Sequence, residues 1–213
     1  MLGLVPGIAD AEAVRQASAD PASSAESGAV LEIGGHKLPC GVSYIEGKLS
    51  CVALLWNPDN PWHPETVGAL QRRGGSMGLQ LQDLDVRGPE AFDGAFRAMT
   101  AEGAQAILLL TDPMTIFHRR RLADLAIQRR LPMMGGVAAY AEAGCLMSYW
   151  ADTTDTYRRA ASYVDRLLKG AKPGDLPIEQ PTKFELVANL KTAKALGITI
   201  PPSILLRTHR VIE

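Results

Sequence analysis

The 213 residues carry 22 Lys and Arg against 23 Asp and Glu, so the formal net charge is −1 and no positive excess is present to hold nucleic acid or an anionic membrane. Hydrophobic residues make up 46% and charged residues 21%, an ordinary globular balance that can bury a sizeable core. No run approaches the roughly 18 apolar residues of a membrane span, and MLGLVPGIADAEAVRQ has no Lys or Arg ahead of its apolar residues, so no signal peptide is visible.

Residues 1–48 differ in character from the rest. ADAEAVRQASADPASSAESGA is rich in Ala, Ser, Asp and Glu without an aromatic residue, which predicts a partly disordered segment, with residues 10–28 packing poorly. AVLEIGGHKLPCGVSYIEGKLSC then offers two short β-like runs around Gly-Gly and Pro-Cys-Gly, a hairpin pattern. From Cys51 the pattern becomes regular. CVALLW (51–56) is a continuous apolar run. Pro64–Gly74 has helical spacing, with Val67, Leu70 and the stem of Arg73 inward. LQLQDLDV (79–86) alternates as a strand does. PEAFDGAFRAMTAEG (89–103) predicts a helix with Phe92, Phe96 and Met99 on one face. AILLL (106–110) is again wholly apolar, and MTIFHRRRLADLAIQRR (114–130) predicts one helix with Ile116, Phe117, Leu122, Leu125 and Ala126 inward. LPMMGG (131–136) is a strand into a glycine turn, AAYAEAG (138–144) a short helix, CLMSYW (145–150) a strand, and DTTDTYRRAASYVDRLLKG (152–170) a long amphipathic helix between an Asp/Thr start and a Gly stop. Beyond Gly170 come a Pro-rich connector, one strand (183–189), a short helix (190–197) and a Pro-stopped tail.

Strand and helix therefore alternate, and strands with no polar face are strands covered on both sides. This predicts an α/β fold: a parallel sheet flanked by helices, built from 51–56, 79–86, 106–110, 132–135 and 145–149. In such sheets ligands sit beyond the carboxyl ends of the strands. The loops there hold Asn57-Pro58-Asp59-Asn60, Thr111-Asp112-Pro113, Gly135-Gly136-Val137 and Ser148-Tyr149-Trp150. Asp112 is placed to receive a ligand ammonium, Tyr149 and Trp150 to pack on an apolar or aromatic group, and Asn57 and Ser148 to hydrogen-bond. Each also has a purely structural use, since Asn-Pro and Asp-Pro serve turns and helix starts.

Other signals are weak. RGGSMG (73–78) lacks the phosphate-loop form and follows a helix, so it is a helix end. The five arginines of HRRRLADLAIQRR line a solvated face without interleaved aromatics. Cys40, Cys51 and Cys145 have no metal or disulfide spacing and read as small buried hydrophobes. His36, His63, His118 and His209 are scattered. No nucleophile, metal or cofactor motif appears, so no catalytic residue, metal ligand or cofactor is assigned.

Three segments together resemble one family: VALLWNPDNP (52–61), GCLMSYWADTTDTYRRAASYVDRLLKGAKPGDLPIEQPTKFELVANLKTAKALG (144–197) and ITIPPSILLRTHRVIE (198–213). They resemble the periplasmic substrate-binding proteins of ABC transporters, in the group that includes tryptophan- and tyrosine-type binding proteins. The resemblance implies two hinged α/β lobes of the type I periplasmic-binding-protein kind, closing on a small-molecule ligand that can be amino-acid-like. It also implies a periplasmic location and an ABC transporter permease as partner. Residues 1–48 do not match the family, 49–170 correspond to one ligand-binding lobe, and 171–213 to a connector and return segment towards the other, incomplete lobe. An incomplete cleft predicts weak binding or none. Two alternatives stay open: a truncated non-binding fragment whose exposed apolar surface on 183–206 drives self-association, and an α/β enzyme using Asp112 or His118.

Overall fold

The computed structural model describes the backbone of Val30–Ile33 and His36–Pro39 and the whole of residues 49–213. The expectations for residues 10–28, and for most of 1–48, lie outside the described residues. Two compact units divide the chain, Met1–Cys40 and Gly41–Glu213. In the first, β1 (Val30–Ile33) pairs antiparallel with β2 (His36–Pro39), from Val30↔Pro39 to Ile33↔His36, which is the hairpin its pattern predicts.

The second unit is one mixed sheet. Its first five strands are β3 (Cys51–Trp56), β4 (Gln80–Asp85), β5 (Ala106–Leu109), β6 (Met133–Gly135) and β7 (Met147–Ala151), all parallel and ordered β4-β3-β5-β6-β7. The connections are α1 (His63–Ser76), α2 (Phe92–Ala101), α3 (Pro113–Phe117) with α4 (Arg119–Gln128), and α5 (Ala138–Ala143). The apolar runs behave as their composition requires. In β3, Cys51, Ala53 and Leu55 join a core with Phe92, Phe96 and Met99 of α2 and Leu122, Ala123 and Ala126 of α4, while Val52 and Leu54 are buried on the opposite face. Fully burying side chains of the size of Phe92, Phe96 and Met99 contributes about 1.5–3 kcal/mol each. The cysteines of this core are plain hydrophobes: Cys51 and Cys145 are buried free thiols, and burial pushes Cys145 up to about 12.

Four local expectations change. The 114–130 helix breaks at His118, whose backbone (φ −95°, ψ 15°) leaves the helical basin, so α3 and α4 are out of phase and Phe117 stands 80% exposed instead of inward. Arg73 is exposed, and Gly74 takes the inward place against Leu81. Segment 171–213, expected to return towards another lobe, extends this sheet: β8 (Phe184–Asn189) lies antiparallel beside β7, and β9 (Arg210–Ile212), which the tail did not announce, lies parallel beside β8. Leu186 and Ala188 of β8 pack with Ala193 of α7 (Leu190–Leu196) and Ile204 of α8 (Pro202–Leu205), so the apolar surface expected on 183–206 is largely buried. The remaining helix, α6 (Thr153–Leu168), buries among its side chains only Asp155.

Candidate functional site

In this strand order the chain leaves β3 towards β4 on one side and leaves β5 towards β6 on the other, which makes the gap between the carboxyl ends of β3 and β5 the topological switch point. Asn57 follows β3 and Asp112 follows β5, so both predicted residues stand there, and they meet. Asn57 Nδ2 donates to Asp112 Oδ1 at 3.2 Å and Asn60 Nδ2 to Asp112 Oδ2 at 3.1 Å. Asp112 also caps α3: Oδ1 accepts the Met114 N–H at 2.9 Å, while its own N–H reaches Thr115 Oγ1 at 3.1 Å. His63 completes the lock. Its Nδ1 accepts the Asn57 N–H at 3.2 Å and its Nε2 bonds the Thr111 carbonyl at 3.1 Å. The local reason is economical: Asn57-Pro58 and Asp112-Pro113 both end strands in turns, and each short side chain then caps its own loop.

Asp112 is only 5% exposed, and Asn57, Asn60 and Met114 donate to it as neutral groups. The switch-point crevice is therefore filled by the protein's own side chains, and the polar floor continues inward through Thr115 Oγ1 to the Tyr140 hydroxyl at 2.7 Å. Burial pushes the Tyr140 phenol up to about 12, keeping it a neutral member of this network.

One and two strands away the situation is different. Gly136 follows β6, and a Cβ there would come within 2.3 Å of Thr111 Oγ1 and 3.2 Å of Trp150 Cε3, so only glycine lets these three groups converge. The Ser148 hydroxyl is buried without a hydrogen-bond partner, 1% exposed, while the Thr111 hydroxyl lies beside the Tyr140 phenol and opposes the upward push of burial on it. Trp150, on the same face of β7 as Ser148, is 51% exposed. Tyr149 points to the opposite face, where its ring stacks on Phe184 at 5.5 Å and packs against the β8 core, so it does not join Ser148 and Trp150. Its hydroxyl titrates above the ordinary range because of burial, with Arg207 opposing.

Sequence reasoning passed over His63, hidden at a helix start in Trp-His-Pro, although it ties the two switch-point loops together. It also passed over Trp62, 57% exposed at the amino end of α1. Among the described residues no cluster of three His, Cys, Asp or Glu side chains is arranged to hold a metal ion, and no helix is long and apolar enough to cross a membrane.

A family model described as ABC transporter substrate binding protein matches residues 42–212. No curated protein matches the chain. Among solved structures, a conserved domain protein of Vibrio cholerae O1 biovar El Tor is 25% identical with a TM-score of 0.73, over 80% of this chain and 57% of that one. An ABC domain from Streptococcus pneumoniae in complex with L-Trp is 23% identical with a TM-score of 0.73, over 80% and 58%. A substrate binding protein with adhesive properties from Clostridium difficile, ligand-free and open, is 14% identical with a TM-score of 0.62, over 78% and 55%. The chain thus spans a little over half the length of the structures it matches.

Proposed function

The chain belongs to the ABC transporter substrate binding protein family, and from that premise we propose that its sheet rim supplies one wall of a small-solute site serving an ABC importer, outside the membrane. The observation that carries this reading is the partnerless buried hydroxyl of Ser148, on the same face of β7 as the half-open Trp150 ring, which the missing Cβ of Gly136 lets converge with Thr111. A buried hydroxyl without a partner costs about 1–3 kcal/mol, and a bound solute bearing donors and acceptors offsets that cost. Trp150 adds an apolar face beside it. Asp112, Asn57, Asn60 and His63 form the rigid backing, and Asp112 keeps lone-pair capacity for one further donor, such as a ligand ammonium. The L-Trp held by the Streptococcus pneumoniae structure supports an amino-acid-like solute for this chain as well.

The test is heteronuclear NMR of the chain titrated with a panel of amino acids at millimolar concentration, which detects a single wall even when binding is weak. Saturable shifts at Thr111, Gly136, Ser148 and Trp150 are expected for at least one solute. Shifts absent there for every solute, or confined to the Tyr149 face, would overturn the assignment.

A further inference from the structure

We propose that α6 is a self-association surface on which a second copy of this chain docks its own α6 antiparallel. The helix is strongly two-faced. Tyr157, Ala161, Val164 and Leu168, at spacings of four, three and four, form one stripe, and Leu167 flanks it. Tyr157 is 73%, Val164 54% and Leu168 84% exposed. A stripe of this length on a helix of 16 residues is what a partner helix covers, and a single-chain surface seldom leaves one open.

The helix is held to its own lobe by other means. Lys183 donates to Asp155, Arg159 donates to Glu179 and to the Thr182 hydroxyl, and the Tyr163 hydroxyl donates to the Pro177 carbonyl. These bonds lie along one side and leave the stripe uncovered.

The charges beside the stripe select the occupant. On a helical projection Arg158 and Asp165 fall on the same edge of it, and both are well exposed, at 69% and 59% of their side chains. In an antiparallel pair related by a two-fold axis, like edges face each other. Centred near Ser162, such a pair sets Tyr157 of one copy against Leu168 of the other, with the small Ala161 near the axis. It brings Arg158 of each copy beside Asp165 of the other, forming the same bridge twice. The edge is complementary to itself, which a lipid surface or an unrelated apolar segment does not require. In the single chain Arg158 has only a long contact with Asp155, at 3.7 Å, and Asp165 an exposed pair with Lys169 at 2.8 Å, so the docked bridge takes Asp165 from a solvated partner. A single helix pair falls below the roughly 1,200 Å² of a standard interface, so the equilibrium is weak and depends on concentration.

Sedimentation velocity of the full chain from about 1 μM to about 500 μM, a span that brackets micromolar dissociation constants, should show the 22.9 kDa species giving way to one of twice that mass. Val164→Asp should weaken the dimer at least tenfold with an unchanged circular dichroism spectrum. Arg158→Glu should weaken it too, by setting Glu against Asp165, and the combined Arg158→Glu and Asp165→Arg exchange should restore it. A chain that stays monomeric throughout overturns the proposal, whether the stripe then takes lipid vesicles or another protein segment. So does a dimer indifferent to Val164→Asp, or a combined exchange no better than Arg158→Glu alone.

Discussion

Gly136 concentrates the geometry of the site in one missing methyl group. An alanine Cβ would fall 2.3 Å from Thr111 Oγ1 and 3.2 Å from the Trp150 ring, on a backbone that follows β6 with little room to shift. Gly136→Ala should therefore cost about 1–3 kcal/mol of stability, as overpacking does, measured by urea unfolding. Thr111→Ala in that background should return part of the loss, and strictly additive effects in the double-mutant cycle would show that the two residues do not press on each other. Ser148 behaves in the opposite sense. Its hydroxyl is buried without a partner, so Ser148→Ala should leave the ligand-free chain as stable as before or more stable, and a lower unfolding midpoint would mean that the hydroxyl has a partner after all. Asp112→Ala strands the amides of Asn57 and Asn60 and uncaps α3, at a cost of about 1–3 kcal/mol for the unpaired groups. Any binding loss in that variant has to be read against its stability.

At the scale of elements, α6 hangs on a charged hinge at its first turn. The hydrogen bonds and charges of Lys183 and Arg159 hold the Asp155 carboxyl below its usual range, so the folded value lies under the unfolded value near 4. That contribution is fully present above the unfolded value and is lost as pH falls through the folded one. Amide exchange across α6 should therefore quicken as pH drops below about 4, relative to β5, once the intrinsic pH dependence is removed. Asp155→Asn should show fast α6 exchange already at neutral pH, and equal protection in both forms would exclude the hinge. Legibility also differs between elements. The parallel strands were readable because runs such as VALLW and AILLL have no polar face, which only a doubly covered strand tolerates. The break at His118 was not, because Ile116 and Phe117 continue the helical spacing of α4 and only the backbone shows the phase lost. Nor was β9, three residues with two exposed positions, whose existence depends on the partner β8 and not on its own pattern. In the site, the two X-Pro loops pointed to Asn57 and Asp112, yet the face of β7 on which Tyr149 sits follows from register with β8, which sequence does not carry.

For the whole molecule, the rim proposed above supplies one wall of a site. Trp62 and Trp150 stand more than half exposed at the rim, so a solute resting there stays in contact with water. A charge-assisted hydrogen bond to a solute at this rim contributes about 1.5–3 kcal/mol when closed off from solvent, but the gain falls towards about 0–1 kcal/mol for a pair left open to water. Loss of water exclusion therefore removes most of the polar contribution, and Trp150 can cover only one face of an aromatic or apolar group. The chain alone should bind amino acids and related solutes no tighter than the high micromolar range. A chimera in which the amino-terminal portion of a structural relative supplies the opposing wall should bind far more tightly. Isothermal calorimetry on both, with the same solute panel, decides it: micromolar or tighter binding by the chain alone would show that its own rim closes the site, and equal weak binding by both would show that the rim described here is not the wall a second lobe completes.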